Sequence, residues 1–225
     1  MESTCRDTRC HMTPCAVWHS VYHESVSQSE SLSLRERKRH RTRQAIRIAA
    51  MELFAERGFD AVTVADIAAH AEVGRRTFFR YFPDKQDVLF ADDEELHQLL
   101  AARIRAAARE LPPLGDSLPR ALAVGRSGVL ALGEAAARRA LYDPLHAQLV
   151  ATSPQLQECG HSRERAYVRT AIETLVDLGA DPSTAALAAH LCAACYAAAH
   201  AETQSDPRLL PAAVARTVDR LHGLR

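Results

Sequence analysis

Apolar residues recur along the chain with the spacing of helices rather than that of strands. After a basic run, a group of apolar side chains falls at i, i+4, i+7 and i+8, which places them on one helical face. That group is Ile46, Ala50, Leu53 and Phe54. Gly58 follows closely and is typical of a helix end.

A short helix, a tight turn and a second short helix are predicted next. The Thr63 hydroxyl can accept from a backbone amide while Asp66 reaches back, which is the pattern of a capping box. Three residues, 72–74, separate this helix from the stretch 75–82, which Pro83 closes. Two short helices joined by a three-residue turn predict a helix-turn-helix.

The rest of the chain is also predicted to be helical. One long apolar stripe predicts a single helix over 84–110, before a pair of prolines. No alternating strand pattern occurs, so the predicted fold class is all-α. Further helices are expected over 117–132, 134–150, 154–178, 182–200 and 211–224.

These patterns divide the chain into three predicted parts. Residues 34–85 form a three-helix DNA-binding domain, and 86–225 form a helical bundle for ligand binding and dimerisation. Residues 1–33 lack either apolar period and are expected to be disordered. Metal binding and a start codon placed too far upstream stay open for that segment, whose candidate ligands are Cys5, Cys10, Cys15, His11, His19 and His23.

Composition narrows the function classes once charge is followed along the chain. The formal net charge of the 225 residues is zero, yet residues 34–85 hold 12 Lys and Arg against 7 Asp and Glu. The basic excess in one segment favours a nucleic-acid partner. No membrane-length apolar run or signal-peptide order is found, so a soluble cytoplasmic protein with reduced cysteines is expected.

The second short helix carries side chains suited to reading DNA. Arg75, Arg76 and Thr77 lie in its first turn, where guanidinium groups can reach guanine O6 and N7 in the major groove. The N-terminus of the preceding helix, at Thr63, is expected to face a phosphate. Phosphate contacts would fix position, and base contacts would fix sequence.

Two further groups of residues can be interpreted in more than one way. The basic run 35–43, with Arg41 and Arg43, is expected to contact DNA and supply salt-dependent affinity, although a solvated helix start is the alternative. Among the aromatic residues, packing is expected for two and contact with the sugar-phosphate surface for two others. The first pair is Phe78 and Phe82, and the second is Phe79 and Tyr81.

Several spaced elements over about residues 40–90 resemble the DNA-binding signature of the TetR family. They are Ala49-Ala50 through Phe54, Gly58-Phe59, Thr63 to Ala68, and Thr77 to Lys85. The resemblance implies a recognition helix with Arg75, Arg76, Thr77, Phe79 and Arg80 on or beside it. It also implies that Lys85 clamps a phosphate at the start of the next helix.

Three positions depart from the family pattern. Glu72 replaces the usual turn glycine, Gly74 replaces a capping Ser or Thr, and Phe79 replaces a tyrosine that commonly reaches phosphate. A glycine N-cap costs little. The Phe79 substitution puts that phosphate contact in doubt.

Two segments, 80–93 and 152–156, are similar to regulators of the mycofactocin-regulator type. That resemblance implies a repressor released from its operator by a small, acyl-CoA-like effector. The TetR resemblance implies a homodimer, for which the helices 182–200 and 211–224 are the expected interface by position in the family and by their apolar faces. The helix over 84–110 is expected to be the lever that couples the two domains.

Other classes of protein receive less support. The chain has no Gly-rich phosphate loop, nucleophile elbow or HExxH pair, so no enzyme activity, cofactor or metal is predicted. A helical interaction module would explain the bundle but not the basic segment. A metal or redox sensor on the helix 182–200 is weaker than close helix packing around small side chains, for the candidates His190, Cys192, Cys195 and His200.

Overall fold

The computed structural model describes residues 33–142, 144–203 and 206–222. Within these ranges the regular structure is helical, apart from an isolated parallel bridge between Gly115 and Ala180. Contacts group the chain into two units, Met1–Thr42 and Arg43–Arg225. The predicted all-α fold with an N-terminal helix-turn-helix is confirmed, while the three predicted domain boundaries stay predictions.

Ten α-helices and one 3-10 helix are present in the part of the chain that is described. In chain order they are α1 (Leu34–Arg57), α2 (Val64–His70), α3 (Arg75–Tyr81), α4 (Lys85–Leu89), α5 (Asp93–Ala107), α6 (Leu118–Tyr142), α7 (Pro144–Thr152), α8 (Pro154–Asp177), α9 (Pro182–Glu202), the 3-10 turn Pro207–Leu209 and α10 (Leu210–His222).

The helix predicted over 84–110 is wrong in one respect, because the structure divides it into α4 and α5. Asp84 caps α4 with a capping box completed by Asp87, and the helix ends after five residues. The chain then turns through Phe90, Ala91 and Asp92, and α5 begins at Asp93. Aspartate favours N-terminal positions over helix interiors, which explains why a new helix begins here. Residues 90–92 are called the α4–α5 corner below.

The break predicted near Gly133 is also wrong, since α6 runs through it without interruption. A Cβ on Gly133 would lie 3.6 Å from the Pro211 Cα and from the Val214 Cγ2. A Cβ here would make ordinary van der Waals contact with α10, and the glycine does not end the helix. The bounds of α8, α9 and α10 agree with the predicted stretches to within about two residues.

The core of the helical domain is built from α5, α6, α8, α9 and α10 around small side chains. A Cβ on Gly128 of α6 would lie 2.6 Å from the Leu100 Cδ1, and one on Gly125 would lie 3.1 Å from the Cys192 Sγ. Cys192 is buried as a small apolar group in this contact. Close approach of α6 to α5 and α9 thus depends on glycine.

Helix α9 differs from the expectation that no apolar run is long enough for a membrane. It is the one helix in the described ranges whose length and composition would allow a membrane span. No Asp, Glu, Lys or Arg lies between Asp181 and Glu202. This is weak evidence of a span, because the core helix of a soluble protein passes the same test.

Candidate nucleic-acid interface

The N-terminus of α2 is fixed by the capping box that the sequence predicts. The Asp66 amide donates to the Thr63 Oγ1 at 3.2 Å, and the Thr63 amide donates to the Asp66 Oδ2 at 2.9 Å. These hydrogen bonds with Thr63 hold the pKa of the Asp66 carboxyl below its ordinary value. Both residues lie at the surface, so the remaining amides of the first turn face solvent.

The turn between α2 and α3 is a Schellman motif with an unusual residue at its centre. The Val73 amide donates to the Ala68 carbonyl at 2.9 Å and the Glu72 amide donates to the Ala69 carbonyl at 3.1 Å. Glu72 has a φ of 54°, the left-handed conformation for which glycine is preferred. Glutamate therefore occupies, with strain, the place of the family's turn glycine.

Helix α3 begins at Gly74, which acts as N-cap without a side-chain hydrogen bond. Arg75 and Arg76 are exposed in the first turn, and Thr77 beside them is half-buried. This turn contains no acidic residue. Two arginines thus occupy the positive end of a helix, where cations are disfavoured and anions are stabilised.

The aromatic residues of α3 divide as predicted between packing and surface. The Phe78 and Phe82 side chains are fully buried, and their ring centroids are 5.9 Å apart. Phe79 is 50% exposed, while Tyr81 is half-buried with the Arg80 guanidinium over its ring at 5.2 Å. The exposed Phe79 ring can contact another molecule, but it has no hydroxyl with which to reach a phosphate.

Lys85, expected to hold a phosphate, makes its contacts inside the domain. Its Nζ donates to the carbonyl oxygens of Phe59 at 2.8 Å, Val62 at 2.9 Å and Asp60 at 3.4 Å. The same ammonium lies 4.3 Å from the centre of the Phe59 ring. An ammonium group has three donors, so these contacts use the whole group to fix the loop between α1 and α2.

The two arginines of the basic run differ in their surroundings. Arg41 is exposed. Arg43 is half-buried; its guanidinium donates to the Ala91 carbonyl and lies 5.3 Å from the centre of the Phe82 ring. Ser33 and Glu36 cap the start of α1 through reciprocal hydrogen bonds. This capping pair is present in the sequence, but the segment was interpreted from its basic charges alone.

Comparison with known proteins agrees with this geometry. Residues 46–91 match the family model described as "Bacterial regulatory proteins, tetR family". The HTH-type transcriptional regulator TcmR of Streptomyces glaucescens is 35% identical over 97 residues, which cover 43% of this chain and 41% of TcmR. The segment 46–91 belongs to the TetR family. This segment contains the two short helices α2 and α3 of the helix-turn-helix.

Other similar proteins include the HTH-type transcriptional repressor LfrR of Mycolicibacterium smegmatis, 39% identical over 90 residues that cover 40% of this chain and 47% of LfrR. A protein named for regulation of mycofactocin biosynthesis, MftR of Mycobacterium tuberculosis, is 45% identical over 56 residues, 25% of this chain and 28% of MftR. The chain thus spans less than half the length of the curated relatives it matches.

Among solved structures, SmeT, the repressor of the Stenotrophomonas maltophilia multidrug efflux pump SmeDEF, is 20% identical with a TM-score of 0.48, covering 79% of this chain and 87% of SmeT. LfrR from Mycobacterium smegmatis in complex with proflavine is 27% identical with a TM-score of 0.36, covering 80% of this chain and 95% of LfrR.

The helical domain contains few features of a metal or redox sensor. Cys192 is buried, and burial raises the pKa of its thiol to about 12. His190 and His200 are exposed on α9. No group of three His, Cys, Asp or Glu residues suited to a metal occurs in the described ranges, and the cysteines of residues 1–32 lie outside them.

Proposed function

We propose that this chain is a ligand-responsive repressor that binds operator DNA as a homodimer in the cytoplasm and is released by a small effector. The observation that carries the proposal is the pair of exposed arginines at the positive end of the recognition helix. Such an arrangement is unfavourable in the free protein and becomes favourable against a polyanion.

The contacts proposed to read the operator sequence lie in the first turn of α3. Arg75 and Arg76 donate to guanine in the major groove, and Thr77 and Phe79 contact neighbouring base and sugar edges. Thr63 directs the first turn of α2 at a phosphate, since its capping box keeps that turn in place. Arg41, Arg80 and Tyr81 add contacts to the backbone.

Arg43 and Lys85 are proposed to act through the domain's own structure. Arg43 holds the α4–α5 corner, and Lys85 holds the loop that precedes Thr63. Loss of the Lys85 ammonium would leave buried or half-buried carbonyls without their donor, so the α2 N-terminus would lose its fixed position. The phosphate contact that the family resemblance implies at this position would then be made by the α2 N-terminus, whose place Lys85 fixes.

Alanine substitutions separate these two kinds of contact. In fluorescence anisotropy with genome-selected operator fragments, Arg75→Ala and Arg76→Ala should each lower operator affinity by about 1–3 kcal/mol and leave affinity for random duplex nearly unchanged. Lys85→Ala should weaken binding to both duplexes by a similar factor. Arg109→Ala, at an exposed arginine of the helical domain, is the matched control.

Two outcomes of these binding measurements would contradict the proposal. If the wild-type protein shows no salt-dependent affinity for any duplex, the chain is an interaction module and not a regulator of this kind. If it binds but all three alanine variants bind as well as wild type, the DNA-reading residues lie elsewhere.

The effector is proposed to enter between α5 and α6. An open groove of about 280 Å³ lies there, lined by Arg103, Ala106, Ala107, Ser127, Leu130, Ala131 and Glu134. This volume is just below the range of about 300–1,000 Å³ for ligand pockets. Because Gly128 brings α6 against Leu100 and Ile104 of α5, a larger ligand must push these helices apart.

Acyl-CoA thioesters are the first effector class to test, on the resemblance to regulators of the mycofactocin type. Apolar groove residues suit an acyl chain, and Arg103 suits an anionic group. A series of acyl-CoA thioesters of increasing chain length should weaken operator binding about 5- to 150-fold, the usual range of such coupling. Free coenzyme A is the control, and no change with any thioester would remove this effector class.

A further inference from the structure

The α4–α5 corner is held from both sides by arginines of other helices. From α1, Arg47 makes a two-pronged contact with Asp92, at 2.5 Å and 3.1 Å. From α6, Arg139 contacts the same carboxylate. Burial alone would raise the pKa of Asp92, but the two guanidinium charges outweigh burial and hold it below its ordinary value. Asp92 therefore stays ionised at neutral pH and joins α1 to α6.

Arg163 of α8 contacts the helices on both sides of the corner. One of its NH2 groups donates to the Asp87 Oδ1 of α4 at 2.8 Å, and the other contacts Asp93, the first residue of α5. Its guanidinium also lies 4.1 Å from the centre of the Phe90 ring, inside the corner. A single rigid fork thus binds the helix on each side of the turn.

The surroundings make this arrangement stiff. The side chains of Arg163, Asp87 and Asp93 are 22%, 26% and 17% exposed, so the pairs are screened less by water than surface pairs are. Tyr167 donates to the second oxygen of Asp93 at 3.0 Å. If the angle between α4 and α5 changes, Arg163 must lose one carboxylate, which leaves a partly buried charge without its partner.

We propose that Arg163 is a latch: it holds the α4–α5 corner in the arrangement that binds DNA, and effector binding releases it. This rests on the proposed function, because the corner connects the helix-turn-helix to α5, one wall of the proposed effector groove. An effector that pushes α5 away from α6 moves Asp93 relative to Asp87. The Arg163 guanidinium can then keep its contact with only one of the two carboxylates, so the corner opens in one step.

The test compares Arg163→Gln with Arg165→Gln, a matched change at an exposed arginine of the same helix. Hydrogen–deuterium exchange of the full-length protein should become at least tenfold faster for the Asp93 and Leu96 amides in Arg163→Gln, but not for those of α9 and α10. Affinity for genome-selected operator fragments should fall at least fivefold. Arg165→Gln should match wild type in both measurements.

A second variant guards against a general loss of folding. Asp93→Asn removes only one arm of the latch and should give the same local exchange and a similar loss of operator affinity. Combining it with Arg163→Gln should add less than twofold, because both changes break the same contact. Additive losses would mean that Arg163 acts elsewhere.

The possible failures can be told apart. If wild type binds operator and Arg163→Gln binds equally well with unchanged exchange at the corner, the latch is overturned and the proposed function stands. If faster exchange spreads evenly over the helical domain, Arg163 has a structural role only, which also overturns the latch. If wild type binds no duplex, the proposed function fails, and the regulatory role of the latch fails with it.

Discussion

At the scale of single residues, Glu72 is the position where sequence and backbone disagree most. It lies at the C′ position of a Schellman motif with a φ of 54°. A non-glycine residue in this conformation costs about 1–2 kcal/mol, because its Cβ approaches the following carbonyl oxygen. The hydrogen bonds from the Glu72 and Val73 amides to the end of α2 hold the turn in this geometry.

Glu72→Gly should stabilise the protein. Relief of the strained φ exceeds the additional freedom that glycine gives the unfolded chain, about 0.4–1 kcal/mol, so the free energy of unfolding should rise by about 0.5–1 kcal/mol. Urea denaturation followed by circular dichroism measures this change. The matched control is Ala69→Gly, at an exposed position inside α2, which should lower the free energy of unfolding by about 0.5–1 kcal/mol.

Equal destabilisation by the two glycine substitutions would contradict this account of the turn. The comparison is informative because both changes add the same freedom to the unfolded chain and differ only in the native backbone. A stabilising Glu72→Gly with unchanged DNA affinity would further mean that the glutamate has no role in binding.

Lys85 illustrates what spacing along a sequence cannot predict about a residue. Its position at the start of α4 was clear from the family pattern, but a lysine side chain has four rotatable bonds and can reach many partners. The three carbonyls that it binds belong to residues 59–62, more than twenty positions earlier. Only the fold brings that loop to the start of α4.

At the scale of elements, the short helices of the DNA-binding domain were the most predictable. Nearby residues determine where these helices begin and end, namely the Thr63 and Asp66 capping box, Gly74 and Pro83. The burial of Phe78 and Phe82 follows from the same helical period. Local signals are enough to predict these helices because each has only about two turns, so capping residues make up a large share of it.

The corner between α4 and α5 could not be predicted in the same way. Both helices bury apolar residues at helical spacing, among them Val88, Leu89, Leu100 and Ile104, so the periodic pattern runs across the turn. Asp92 and Asp93 are a weak signal of a helix start, and their arginine partners come from three other helices. Long-range ion pairs stabilise this turn, and a single sequence does not reveal such pairs.

The same limitation explains the uninterrupted α6. Glycine inside a helical pattern indicates either a break or a close contact. At Gly128 the close contact is the correct interpretation, since a Cβ there would lie 2.6 Å from the Leu100 Cδ1 of α5, whereas Gly133 continues the helix at ordinary contact distance from α10. Which of the two applies depends on neighbours that are far away in sequence.

At the scale of the whole molecule, the net charge is zero, but the charged residues fall into groups with different surroundings. The exposed arginines of α3 are proposed to contact DNA, whereas Arg47, Arg139 and Arg163 are paired with Asp87, Asp92 and Asp93. Burial, assisted by the charges of Arg139 and Arg47, lowers the pKa of His146 to about 3. His146 is therefore neutral at physiological pH and adds no charge to this network.

The proposed homodimer can be located more closely with the structure than with the sequence. The apolar face of α10, expected at the interface, is buried in the chain's own core through Ala213, Val214 and Val218. Helix α9 still exposes an apolar surface, in which Leu187 is 49% exposed. A second copy of this chain is the proposed partner of that surface.

Leu187→Glu should raise the dimer dissociation constant at least tenfold, which is about 1.4 kcal/mol, because the interface would have to bury a carboxylate without a partner. Sedimentation velocity at micromolar concentration measures the change. Leu111→Glu, at a similarly exposed leucine after α5, is the control and should leave the dimer intact. A wild-type monomer would remove the dimer from the proposal, whereas a dimer unaffected by Leu187→Glu would move its interface away from α9. Since paired recognition helices must reach successive major grooves about 34–36 Å apart, loss of the dimer should also abolish tight operator binding.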